Sequence, residues 1–186
     1  MPSLDSKKLQ LPGVVLIAAD VAGYAKALAT ALTSLKQKVV LLTAGKSTTS
    51  DPTVNVSDFS KLDEVSAAVQ KVKAEHGAIA AFIDLRAFDI QENAKDVALL
   101  SQLFAIAKAL EVEFNPKHAE SKKHFIAAAR LDGQFGLTKA IQFSPLQGGL
   151  VGLMKSLAKE WTQSSCHAID FSAHLALSLI HISALS

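Results

Sequence analysis

Several short constellations in this sequence have residue types suited to chemistry. Gly45-Lys46-Ser47 has the composition of the end of a phosphate-binding loop, where backbone amides and a lysine wrap phosphate oxygens. That loop needs another glycine at position 40, which is Val40 inside an apolar run, so the tripeptide reads as a surface loop. The six histidines contain no His-Glu-x-x-His and no tight pairing with carboxylates. His118 and His124 flank a loop and could meet over a metal ion, but the sequence assigns no metal site. Cys166 is the single cysteine, and a thiol inside an apolar strand reads as buried and inert rather than nucleophilic. The pairs Lys7-Lys8 and Lys122-Lys123 are isolated and read as solvated, not as nucleic-acid contacts.

The elements that would position these residues alternate. Val14 to Ala18 is a short β-branched apolar run after the Pro12-Gly13 turn, and reads as a buried strand. Asp20 is placed to cap a helix carrying Tyr24, Leu28, Leu32 and Leu35 on one face. Val39 to Leu42 is a second strand, Lys46 to Pro52 a polar loop, and Val54 and Val56 a short third strand. Ser60 opens a helix with Asp63 and Glu64 in its first turn, ending at Gly77. Ile79 to Ile83 follows as a strand, then a long helix over 93–110 and a loop over 115–122. His124 to Ala128 is another strand, and Asp132-Gly133 a turn. Gly148-Gly149 precedes a helix with Leu150, Leu153, Met154, Leu157 and Trp161 on one side. Cys166 to Phe171 is the last strand.

Strands that read as continuous apolar runs, alternating with helices, predict a parallel sheet covered on both faces: a doubly wound, Rossmann-type α/β fold. Composition narrows the class further. The 186 residues include one cysteine, which excludes an internal disulfide framework. No apolar run reaches the ~18 residues of a membrane span, and Met1 to Pro12 lacks the apolar centre of a signal peptide. Net charge is +2, too balanced to argue for nucleic acid. Charged residues make up 19%, below the ~25% usual for soluble domains, which predicts surface hidden against a partner.

From Val14 to Phe171 the chain resembles the short-chain dehydrogenase/reductase family. Asn55-Val56-Ser57-Asp58, Val65 to Val69 and Glu75-His76-Gly77 look like that family's third strand and the helix before its fourth. Gly149 to Trp161 is similar to the helix after its active site. Aligned on Val14 to Ile17, the family's phosphate-loop glycines fall at Ala19, Gly23 and Ala25, and only Gly23 is retained. Asp20 puts a carboxylate where a pyrophosphate would lie, so this loop is not assigned a cofactor. Asn55 stands where an aspartate contacts adenine, and Asp84-Leu85-Arg86-Ala87 replaces Asn-Asn-Ala-Gly.

The resemblance locates the catalytic tyrosine and lysine of Tyr-x-x-x-Lys at Phe143 and Gln147. A phenyl ring has no proton to give, and an amide carries no charge to lower a neighbour's pKa. The substrate-binding serine falls near Arg130, with no serine between Ser121 and Ser144. The one tyrosine of the chain, Tyr24, sits on the first helix and cannot replace it. No catalytic residue is therefore expected.

A reductase scaffold emptied in this way, and so implied by the resemblance to be degenerate and truncated, resembles the structural subdomain of a ketoreductase in multienzyme synthases. Ala129 to Gly136 and His167 to Asp170 look closest to polyunsaturated fatty acid synthases and related type I polyketide synthases. The resemblance implies a module reducing a β-ketoacyl chain with NADPH, in which this chain binds no cofactor itself. Its implied partners are the catalytic ketoreductase half, neighbouring synthase domains and an acyl carrier protein, with no nucleic acid or membrane. It also implies a cytoplasmic location. The expected organisation is a linker over 1–12, the subdomain over 13–172 and a tail over 173–186 that fits no expected element. At least one of the wide apolar stripes of residues 97–110 and 149–161 is expected to dock against a partner domain. Two alternatives stand beside this reading: an active NADPH-dependent reductase with atypical residues, and a stand-alone Rossmann-like interaction module.

Overall fold

The computed structural model describes residues 11–44, 52–90, 98–117, 121–138 and 147–172. Gly45-Lys46-Ser47, the expected helix start at residues 93–97, His118 and Phe143 lie outside these residues, as do most of the expected linker and the tail.

Six strands form one sheet: β1 (Val14–Ala18), β2 (Lys38–Thr43), β3 (Thr53–Asn55), β4 (Ile79–Asp84), β5 (Lys123–Ala129) and β6 (Ser164–Asp170). Their order is β3-β2-β1-β4-β5-β6 and every pair is parallel. The helices are α1 (Tyr24–Ser34), α2 (Leu62–His76), α3 (Ala98–Phe114) and α4 (Gly148–Glu160). This is the doubly wound Rossmann-like architecture read from the sequence.

The twofold alternation of a strand explains why the apolar runs are continuous. Val14, Leu16, Val40, Leu42, Phe82 and Phe125 feed a core under α2, α3 and α4, whereas Val15, Ile17, Val39 and Leu41 feed a second core under α1. One face of the sheet thus carries three helices and the other, among the described residues, carries α1. Gly13 shows how tightly β1 is seated, because a Cβ there would lie 2.4 Å from the Ala78 carbonyl oxygen.

Several boundaries move, each for a packing or hydrogen-bonding reason. Ser60 does not open α2: its amide and hydroxyl both bond Asp58 Oδ1 at 2.9 and 2.6 Å, and Lys61 remains extended. The third strand is Thr53–Asn55, set by pairing with Leu41–Thr43, not a Val54–Val56 run. α3 continues past Leu110 to Phe114, because Phe114 is fully buried against Phe125 and Trp161. Gly148 and Gly149 lie inside α4, not before it, and a Cβ on Gly149 would stand 3.0 Å from Leu100 of α3. β6 begins at Ser164, whose hydroxyl donates to the Phe114 carbonyl, and it ends at Asp170. In α1 the fully buried residues are Ala25 and Ala29, with Tyr24, Leu28 and Leu32 only partly buried beside them.

Candidate functional site

In a doubly wound sheet the ligand crevice lies beyond the carboxyl ends of the strands, where the winding reverses. Here that point is between β1 and β4. The β1–α1 turn is Ala19 to Gly23, and Gly23 (φ 100°) provides the left-handed backbone that turns the chain into α1. The first amides of a helix have no intrahelical partner and present a ready anion site.

Two carboxylates of the protein itself occupy the first amides of α1 and those of the turn before it. Asp20 accepts from Tyr24 N–H at 2.9 Å and Ala25 N–H at 2.6 Å. Asp89, at the end of the short 3-10 turn Arg86–Asp89 after β4, accepts from Val21 N–H at 2.7 Å and Ala22 N–H at 3.3 Å. Burial, together with the charge of Asp20, holds the Asp89 carboxyl above its ordinary pKa, against the pull of those amides. A pyrophosphate would have to displace both groups and sit beside their negative charge. The residues of this loop do not fit a dinucleotide. The sequence placed Asp20 correctly as a helix cap and missed Asp89, because no local spacing links residue 89 to residues 21 and 22.

The rest of the crevice is filled as well. Tyr24 stacks on Phe88 with ring centroids 4.2 Å apart, and the Phe171 ring lies 5.2 Å from that of Phe88. The Arg130 guanidinium stands 5.6 Å from the Phe88 ring. Leu85 N–H bonds the Ala18 carbonyl at 3.1 Å, which fastens the β4 turn to β1. Beneath it, Arg86 Nε and Nη2 bond the two oxygens of Asp84 at 2.9 and 2.6 Å. Arg86 also donates to Gln102 Oε1 at 2.9 Å and lies 4.4 Å over the Phe59 ring. Asp84 and Arg86 are 3% and 7% exposed, so the pair works as a buried brace and not as a binding group. Asn55 ends β3 on the surface.

Gln147, in the position aligned with the family lysine, is 2% exposed. Its Oε1 accepts the Arg130 amide at 2.5 Å, and its Nε2 has no partner among the described residues. It ties the end of β5 to the start of α4. Phe143 lies outside the described residues. Past β5, Asp132 takes amides of Gln134, Gly136 and Thr138, while Asp170 takes those of Leu131, Asp132 and Phe135. These bonds, and the hydroxyl of Thr138 above all, hold the Asp132 carboxyl far below the ordinary range. Cys166 is half-buried rather than fully buried, and burial pushes its pKa up to about 11. No group of three or more metal-ligating side chains occurs among the described residues, and no helix there is long and apolar enough to cross a membrane.

No model of a known family matches the sequence, and no curated protein matches it. Solved structures do match, most of them named as dehydrogenases or reductases and one as a ribose-5-phosphate isomerase; at these identities the likeness shows the fold alone, a Rossmann-like α/β sheet. Among them is a 3-ketoacyl-(acyl-carrier-protein) reductase from Brucella melitensis complexed with NADH. It has a TM-score of 0.67 at 16% identity over 88% of this chain and 76% of that one. A short-chain dehydrogenase/reductase of the glucose/ribitol dehydrogenase type from the same organism gives 0.60 at 14%, over 85% and 74%. Aldohexose dehydrogenase from Thermoplasma acidophilum, in ligand-free form, gives 0.62 at 14% over 84% of this chain. The present chain spans 65% of that protein's length.

Proposed function

We propose that this chain is the non-catalytic, supporting half of a β-ketoacyl reductase module in a polyunsaturated fatty acid or polyketide synthase. In this reading residues 13–172 form the supporting subdomain, in a cytoplasmic assembly. A separate catalytic half binds NADPH and reduces a β-ketoacyl chain carried on an acyl carrier protein. The chain's own residues hold a scaffold and do no proton or hydride chemistry. The observation that carries the reading is the capture of the Val21, Ala22, Tyr24 and Ala25 amides by Asp20 and Asp89. It is supported by Gln147, whose amide bridges β5 to α4 where the resemblance calls for a charged lysine. The ketoacyl reductase among the matching folds supports the choice of chemistry. Phe104, 54% exposed, forms with Leu100 and Leu153 an apolar groove between α3 and α4 suited to the face of a second half.

Two measurements test this. Titration of the chain with NADPH, followed by nicotinamide fluorescence, is expected to show no saturation in the micromolar range; micromolar binding overturns the reading in favour of an active reductase. Co-expression with a catalytic ketoreductase half is expected to raise soluble yield and to give a co-purifying pair. A fully soluble monomer indifferent to that half favours the stand-alone interaction module instead.

A further inference from the structure

At the amino ends of the strands, away from the crevice, two lysines share one small hollow. Lys36 follows α1 and Lys38 opens β2, and both are exposed. With His76, the last residue of α2, they line a space of about 190 Å3 together with Leu11, Gly13 and Gln37. Strand register brings them there. Val14 pairs with Lys38 on one side and with Ile79 on the other, so the start of β1 lies between β2 and the turn after His76. Lys38 has the parity of Val40 and Leu42, which face the core under α2, and so shares a sheet face with that helix. A buried amide keeps the hollow in shape. Gln37, 6% exposed, accepts Leu11 N–H at 2.8 Å and donates through Nε2 to the Gly13 carbonyl at 2.7 Å.

Lys36 is an unusual residue for its place. Its φ is 64°, the left-handed region that strains a side chain and favours glycine. The Lys36 and Gln37 amides close α1 on the Thr33 and Leu32 carbonyls at 2.8 and 3.0 Å, a closure that glycine makes at lower cost. The turn therefore does not call for a lysine. The carbonyl ends of α1 and α2 favour cations here. Those of Ala31, Leu32, Thr33 and Lys73 are nonetheless already bonded by the Leu35, Lys36, Gln37 and Gly77 amides. Among the described residues, neither Lys36 nor Lys38 makes a hydrogen bond or ion pair through its side chain. Glu75 borders the group, with Oε2 3.8 Å from His76 Nε2, but it also leans toward Lys71 at 4.0 Å.

We infer that Lys36, Lys38 and His76 bind a phosphate group, either free or as the terminal monoester of a small molecule. The two ammonium groups meet its charge, and the imidazole supplies a ring N–H to an oxygen. Three donor groups suit the three terminal oxygens of a phosphate better than the two of a carboxylate. Size limits what enters. About 190 Å3 is below the ~300–1,000 Å3 of a pocket that encloses a whole small molecule, so the phosphate is held and its carrier stays in solvent. The hollow lies at the opposite ends of the strands from the Asp20 and Asp89 carboxylates, so phosphate binding here stands or falls apart from the supporting role of the chain.

The full chain, labelled with nitrogen-15, is titrated with inorganic phosphate and separately with glycerol 3-phosphate, at an ionic strength held constant with chloride. Expected are saturable shifts of the Gly13, Lys36, Lys38 and His76 amides, with Kd on the order of 1 mM. Tighter binding of phosphate assigns the free ion, and equal or tighter binding of glycerol 3-phosphate assigns the monoester. Lys36→Gly is expected to weaken binding at least about fivefold while the melting temperature stays level or rises, since glycine adopts this φ without strain. A lysine that served only the helix end would not separate the two readouts. Lys38→Gln is expected to weaken binding similarly at an unchanged melting temperature, and Glu75→Gln to tighten it about twofold. Absence of saturation by about 10 mM of either probe, or shifts confined to other amides, overturns the inference. So does equal binding by the two lysine variants. No nicotinamide enters this assay, so its failure is distinguishable from a failure of the NADPH titration.

Discussion

Asp20 and Asp89, from the segments that follow β1 and β4, divide four amides between them: Asp20 takes those of Tyr24 and Ala25 at the start of α1, and Asp89 those of Val21 and Ala22 in the β1–α1 turn. Two acids in contact with one helix start satisfy its donors from inside the molecule. The same donors are what a phosphate-binding turn offers to its ligand.

Asp20→Ala leaves two helix-start amides without their partner. The expected loss is about 1 kcal/mol, the usual worth of a capping side chain. For a domain of this size that is a fall of about 2–4 °C in melting temperature, read by circular dichroism. An unchanged melting temperature would show that the cap is replaced by water at no cost.

Asp89 predicts a pH dependence. Folding raises its pKa above that of an ordinary aspartate, chiefly through burial. The folded state therefore binds this proton more tightly than the unfolded state does. The associated stability is complete below the unfolded value and is lost as pH rises through the raised folded value. Asp89→Asn keeps an oxygen for the Val21 and Ala22 amides and removes the titration. Its stability relative to the natural protein is expected to rise as pH increases through the raised titration of the Asp89 carboxyl and to level off above it, and urea melts across the acidic range check it.

The buried brace predicts a strong coupling. Arg86→Met alone leaves the Asp84 carboxylate, 3% exposed, without its partner, at an expected cost of about 3–5 kcal/mol. Asp84→Asn combined with Arg86→Met is expected to recover most of that loss. A double-mutant cycle by denaturant melts measures the difference, and simple additivity of the two changes would sink the claim.

Cys166 predicts chemical inertness. With its pKa pushed up to about 11, little thiolate exists at pH 8. Alkylation by iodoacetamide is expected to be about two orders of magnitude slower than for a free cysteine, and to recover in urea. A rate near that of free cysteine would place the thiol in the open.

The parts legible in the sequence were those governed by local pattern. The unbroken apolar runs of β1, β2 and β4 announced a sheet buried on both faces, and Asp20 announced a cap. Tertiary contacts fixed the rest. Phe114 extends α3 because it completes an aromatic cluster, and Ser60 fails to open α2 because Asp58 holds it in a turn. Asp89 was invisible for the same reason, since its partners are 67 and 68 residues away. Cys166 sits in a strand that looked interior and is last in the sheet order among the described residues, a distinction carried by sheet order and not by the residues themselves.

The placement of two aromatic side chains gives this molecule separate optical reporters for its two layers. Trp161, the only tryptophan, is 2% exposed and packs edge-on against Phe125 in the core under α2, α3 and α4. Tyr24, the only tyrosine, stacks on Phe88 on the α1 side of the sheet. Tryptophan emission therefore follows the three-helix layer, while tyrosine absorbance follows the single-helix layer. Coincident transitions would show one cooperative unit, and a lag between them would show which face of the sheet lets go first.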